Sequence, residues 1–231
     1  MTRSKAALLH TTITLLVMAL LVAVVVPLWH PWGLYRISGV LPLLGLVLCA
    51  LLAAGPLLTL IVFKPGKKTL RMDLTVLAML QLAVLGGSVY LLAQTRPAFV
   101  VASDMRMAVV LASEIDPADL SQPDLPEWAH PSWGRPHLVG LRPGTQRTDH
   151  NSVLAAFLNT GMDHEQQPRW YLPYADITSR LAFTAPPSTI DAQPAPAATE
   201  AAFHSLPIVA RHGAGRVVLD ANWQPVKIIS R

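Results

Sequence analysis

Three charge-free apolar runs, followed by a charged and proline-rich half, predict three transmembrane helices joined to an α+β domain. The runs Ala6–Tyr35, Ile37–Phe63 and Leu74–Thr95 contain no Asp, Glu, Lys or Arg. A spanning helix needs roughly 20 mostly apolar residues, and each run holds one. The charge balance divides at the same place. Residues 1–95 carry seven Lys/Arg and one acid, a net +6, whereas residues 96–231 carry eleven Lys/Arg and thirteen acids, a net −2. Only 14% of the 231 residues are charged, against about 25% in a soluble domain. The division predicts a membrane region at 1–95 and a second domain at 96–231.

The first span is expected at about 7–28. Arg3 and Lys5 precede it, which predicts a cytoplasmic N-terminus because basic flanks are retained on that side. A cleaved signal peptide would have a shorter apolar core and a small-residue cleavage site; Val24-Val25-Val26-Pro27 offers none. Trp29, Trp32 and Tyr35 follow, with Pro31 and Gly33 between them. Their rings favour the membrane–water interface, marking the outer turn of a helical hairpin.

The second span is expected at about 40–63, bent at Gly55-Pro56 because proline removes a helical hydrogen bond. Gly45 and Gly55 are candidates for close helix approach. Lys64, Lys67, Lys68 and Arg71 then crowd the short turn before the third span, about 74–92. This basic turn determines the topology: it stays cytoplasmic, and residues beyond Gln94 lie on the other side. Gln81 sits roughly 10 Å inside the third span at 1.5 Å per residue. An amide there either binds helices of this chain together or meets a partner's helix. The only cysteine, Cys49, lies in the second apolar run and is expected to pack as a small hydrophobe.

In the second domain, Phe99–Ala102 and Met107–Leu111 read as a β-hairpin. The stretch Asp116–Arg147 reads mostly as loop. A short helix capped by Asn151 or Ser152 is expected to run through Leu158 and end at Gly161. Trp170–Tyr174 is an aromatic strand or turn leading into a helix at Ala175–Phe183. Ala185–Ala202 is a loop, and Leu206–Ala210, Gly215–Leu219 and Pro225–Ile229 form a C-terminal β-meander.

Catalytic signatures are weak. Asp149-His150 and Asp163-His164 lack helical metal-ligand spacing, and His204 and His212 read as surface residues. Gly66-Lys67-Lys68-Thr69 lacks the first glycine and the strand–helix setting of a phosphate loop. Glu114, Asp116 and Asp119 are either a solvated acidic turn or an acid/base group. Trp128, Trp133, Trp170, Tyr171, Tyr174 and Trp223 are core aromatics, a minority of which suit a protein-binding surface. No catalytic residue, metal or cofactor is expected. The overall +4 charge follows from topology and is no nucleic-acid footprint.

The stretch GPLLTLIVFKPGKKTLRMDL from Gly55 to Leu74, with Gln81 beyond it, resembles the TfpX/TfpZ family of type IV pilin accessory proteins. The matching residues are Gly55, Pro56, Thr59, Phe63, Pro65, Lys67, Lys68, Leu70, Asp73, Leu74 and Gln81. Arg96-Pro97, Tyr171-Leu172-Pro173-Tyr174 and the closing Leu206-Pro207 to Val218-Leu219-Asp220 also look like the family. The likeness is loose between Gln122 and Pro168. It implies a non-enzymatic bacterial inner-membrane protein with its C-terminal domain in the periplasm, serving a type IV major pilin. Such pilins carry an apolar N-terminal helix with a free amine and a glutamate near its cytoplasmic end. Asp73 is then a candidate for the amine, and Thr59 and Gln81 for the glutamate. Asp73 otherwise pairs with Arg71 or Lys68, or favours the start of the third helix. The competing classes are a membrane-anchored periplasmic enzyme and a ligand sensor.

Overall fold

The computed structural model describes residues 2–122, 125–143, 151, 154, 157–158, 161–184 and 204–230. The chain forms two compact units, one of Met1–Leu28 with Val40–Thr95, the other of Trp29–Gly39 with Arg96–Arg231.

Among the described residues, three helices are long and apolar enough to cross a membrane: α1 (Arg3–Trp29), α2 (Val40–Val62) and α3 (Leu70–Gln94). Each extends past the expected span by a few residues at one end or both, except α2, which stops one residue short. Within α2, Ala53–Leu57 widens into a π turn containing Pro56. Pro56 has no N–H to give, so the helix cannot keep its ordinary bonding there. In a membrane the freed backbone groups need other partners. Beside this turn, Gln81 Nε2 on α3 donates to the Leu51 carbonyl at 3.3 Å. Gly45 has nothing within 4 Å of where a Cβ would stand, so it serves no close approach. Cys49 is exposed rather than packed.

The second unit is built on a mixed sheet, seven-stranded among the described residues. The strands are β1 (Pro97–Ala102), β2 (Met107–Leu111), β3 (His137–Leu141), β4 (Tyr171–Pro173), β5 (His204–Ala210), β6 (Gly213–Leu219) and β7 (Pro225–Ser230), ordered β4-β3-β1-β2-β5-β6-β7. The β1–β2 hairpin and the β5–β6–β7 meander are antiparallel, as the sequence predicts. Parallel pairings join β1 to β3 and β2 to β5. Within 116–147, expected to be mostly loop, the structure places the strand β3, which the sequence reading did not single out. It is short and gains its stability from β1, far away in sequence, a term no local pattern reports. Gly140 within it has no Cβ, which lets Leu172 Cδ1 and Ile177 close over the strand. The short helix expected at 151–158 and the loop at 185–202 lie largely outside the described residues.

Every residue of β1 is buried. Val100 and Ala102 join one apolar cluster, Phe99 and Val101 another; a strand covered on both faces reads as an unbroken apolar run. The first cluster takes Tyr174, Ile177 and Leu181 from the helix α5 (Tyr174–Thr184), α4 being the short turn Pro117–Leu120. It also takes Leu34 and Ile37 from the crossing between α1 and α2. Leu34 is 0% exposed and Ile37 2%. Residues expected to form a plain interfacial turn therefore supply core to the sheet unit. Leu34→Ala is expected to destabilise this unit by about 2–5 kcal/mol, the range for a buried leucine. Chemical denaturation in detergent, followed by tryptophan fluorescence, measures it; Arg36→Ala, at an exposed position, should shift the midpoint little.

Candidate functional site

Three polar side chains come together inside the membrane unit. His10 lies on α1, roughly 10 Å from its start at 1.5 Å per residue. Its Nδ1 is 2.7 Å from Thr59 Oγ1 on α2. Thr59 is buried, at 3% exposure. Gln81 reaches over from α3. They meet above Gly55, where a Cβ would stand 2.7 Å from Gln81 Oε1 and 2.8 Å from His10 Nε2. Only glycine leaves room for both groups, so the residue that helps widen α2 also admits the polar cluster.

Gln81 uses one end of its amide and leaves the other free. Its Nε2 is bound to Leu51, and that bond settles which end is nitrogen. Its Oε1 is buried with no hydrogen-bond partner among the described residues. An unpaired acceptor in an apolar setting costs on the order of 1–3 kcal/mol. Thr14 Oγ1, one turn beyond His10, is likewise buried and unpartnered. A cavity of about 460 Å³ opens beside the cluster, lined by His10, Thr59 and Gln81 with Ala6, Leu9, Ile13, Phe63, Leu74, Leu77, Ala78 and Leu82. The arrangement is an apolar groove with a polar floor.

The other expected residues lie near the α2–α3 turn. Lys64, Lys67, Lys68 and Arg71 are exposed. Asp73 is in the first turn of α3 and is ion-paired with Lys67, rather than with Arg71 or Lys68. The structure brings Thr59 and Gln81 to one groove and leaves Asp73 engaged with the basic turn. Sequence reasoning missed His10. The available signal was an ionisable ring inside a charge-free apolar run, which in a membrane helix marks a functional site by default.

In the sheet unit the acidic residues make structural contacts, and Glu114, Asp163 and Glu165 line one cavity of about 490 Å³ with Arg106 and Arg211. Glu114 Oε2 accepts from the Leu111 N–H at 2.9 Å, and its Oε1 is 3.6 Å from Arg211. Asp116 caps α4 by accepting from the Ala118 N–H at 2.8 Å. Asp119 faces Arg169 at 3.7 Å. Burial raises its carboxyl above the usual range, with Arg169 opposing. Asp163 opens the 164–166 turn, and His164 packs edge-on to Trp170. His204 stacks on Trp223 at 4.0 Å and is half-buried, while His212 is exposed. Asp149-His150 lies outside the described residues. Among those described, no group of three His, Cys, Asp or Glu is placed to hold a metal.

The fold and groove define a membrane protein with three apolar helices, an intramembrane polar cluster and a mixed-sheet domain. Among known proteins, the chain is similar to the fimbrial assembly protein, serogroup I, of Dichelobacter nodosus. The two are 28% identical over 182 residues, covering 78% of this chain and 70% of that protein. No family model matches the chain, and no solved structure matches it.

The His10–Thr59 bond is testable in its own right. A double-mutant cycle of His10→Ala and Thr59→Ala, by equilibrium unfolding in mixed micelles, is expected to return a coupling of about 0.6–1.7 kcal/mol. Strict additivity would mean that the two side chains do not interact.

Proposed function

We propose that this protein is a chaperone-like accessory factor of the TfpX/TfpZ kind. It sits in a bacterial inner membrane, N-terminus cytoplasmic and sheet domain periplasmic, and holds a type IV major pilin by its membrane helix before assembly. The role is one of binding and needs no reaction. The D. nodosus protein supports it as a relative named for fimbrial assembly. The basic turn at Lys64, Lys67, Lys68 and Arg71 supports the orientation.

The observation that carries the reading is the apolar groove lined in part by Thr59 and Gln81, with Gln81 Oε1 buried against Gly55 and reached by a donor when that side chain turns toward the groove. Apolar lining suits an apolar helix, and the unpaired oxygen calls for a hydrogen-bond donor. The glutamate that pilins carry in this region donates when its carboxyl is protonated, the form favoured in hydrocarbon. Thr59, already bonded to His10, supports the groove wall beside it. At Asp73, a pilin amine would exchange with the Lys67 ammonium. Exposed ion pairs are worth about 0–1 kcal/mol, so the exchange is inexpensive.

Co-purification of the cognate pilin from membranes tests this. Gln81→Leu is expected to lower recovery by roughly fivefold, corresponding to about 1 kcal/mol for one interhelical hydrogen bond. Asp73→Ala should have a smaller effect. Unchanged pilin recovery and piliation in both variants would remove these contacts from the proposal.

A further inference from the structure

Of the tryptophans in the sheet unit, one stands exposed. Trp133 is 69% exposed. Its position is set by residues at the ends of the membrane helices. Trp29, the last residue of α1, donates from Nε1 to the Trp133 carbonyl at 2.8 Å. Arg96, two residues past the end of α3, donates from Nε to the Ser132 carbonyl at 3.2 Å. Its guanidinium also lies 4.3 Å from the centre of the Trp133 ring. Arg96 is 7% exposed, and its own carbonyl accepts from the Ala112 N–H at 2.9 Å. The 132–133 segment is thus tied, within one compact unit, to two of the places where the chain leaves for the membrane helices.

We infer that Trp133 is a membrane-interface anchor, with its ring set among lipid headgroups beside the span ends. An indole prefers that depth because its body is apolar and its N–H polar. A lone exposed tryptophan on a soluble surface would call for no explanation. This one is held through its backbone by a span-end residue and stacked on a buried guanidinium, so its depth relative to those ends is fixed. The stacked cation covers one face of the ring and leaves the other to the bilayer. The sequence points to Trp29, Trp32 and Tyr35 for this duty. However, Trp29 is 8% exposed and spends its N–H on Trp133, and Trp32 packs against the core. Tyr35 is half-buried, and Trp133 is the more outward ring. The inference stands apart from the pilin reading and holds for either orientation in the membrane.

The test leaves Trp133 in place. Gly134→Cys, with Cys49→Ala, is labelled with an environment-sensitive fluorophore, and the full chain is reconstituted in phosphatidylethanolamine–phosphatidylglycerol vesicles. A Cβ at Gly134 meets only Ser132 Oγ at 3.9 Å, so the substitution fits. Met105→Cys is the control: Met105 is 78% exposed, in the turn at the far end of β1 from Arg96. Quenching by headgroup-level spin-labelled lipid is expected to be at least roughly threefold stronger at position 134 than at 105, with iodide quenching weaker in step. Adding Trp133→Ala should lower that ratio. Equal quenching at both positions overturns the inference. So does protection of position 134 from iodide without lipid quenching, which would indicate a protein partner.

Discussion

The crossing from Trp29 to Gly39 constrains the sheet unit more than any other short segment. It supplies Leu34 and Ile37 to the core, and they are among the largest fully buried side chains. The backbone turns sharply to deliver them, with positive φ at Trp32, Gly33 and Gly39. At Trp32 that conformation costs on the order of 1–2 kcal/mol, offset by packing of the ring on the core. At Gly39 a Cβ would fall 2.6 Å from the His212 ring, so the β5–β6 turn closes directly over the crossing. The sheet unit is therefore discontinuous in sequence. Residues 96–231 alone lack part of their own core.

A different constraint organises the helices. Hydrocarbon offers no partners to backbone groups, so each disruption must be answered by the protein. Pro56 lies in the widened turn of α2, Gln81 bonds the Leu51 carbonyl beside it from α3, and Gly55 leaves the room for it to do so. The groove lies beside that contact. An amide has two ends, and holding the Leu51 carbonyl with one leaves the other buried against Gly55 and unmatched among the described residues. Proline, glycine and glutamine are thus parts of one local device, which explains why they occur together within a compact region of the fold.

Much of this was legible in the sequence, for reasons that differ by element. Membrane helices announce themselves by length and lack of charge, requirements set by the bilayer rather than by tertiary contacts. The hairpin and meander showed because β-branched runs alternate with turn residues between neighbours in sequence. The strand β3 did not, since its partner β1 is distant and its glycine argues locally against a strand. The crossing loop was misread for a related reason. Its aromatics suit a membrane interface and a protein core equally well, and only long-range packing separates the two. Thr59 and Gln81 were recognisable as polar residues in apolar surroundings, while their convergence with His10 depends on how three helices pack.

Where unspent bonding capacity lies is also an argument about function. A carboxylate that works as an acid or base must keep a lone pair or proton for its substrate. In the sheet unit Glu114 holds Leu111 and Arg211, Asp116 holds a helix start, Asp119 faces Arg169, and Glu165 is bound by Arg106 at 2.6 Å. These contacts are local to the sheet unit, where Asp104 Oδ1 and His204 Nδ1 are also buried without a hydrogen-bond partner among the described residues. In the membrane unit, Gln81 Oε1 is also buried and unmatched, and it lies beside an apolar groove. An amide oxygen in that position neither transfers protons readily nor attacks; it accepts a hydrogen bond.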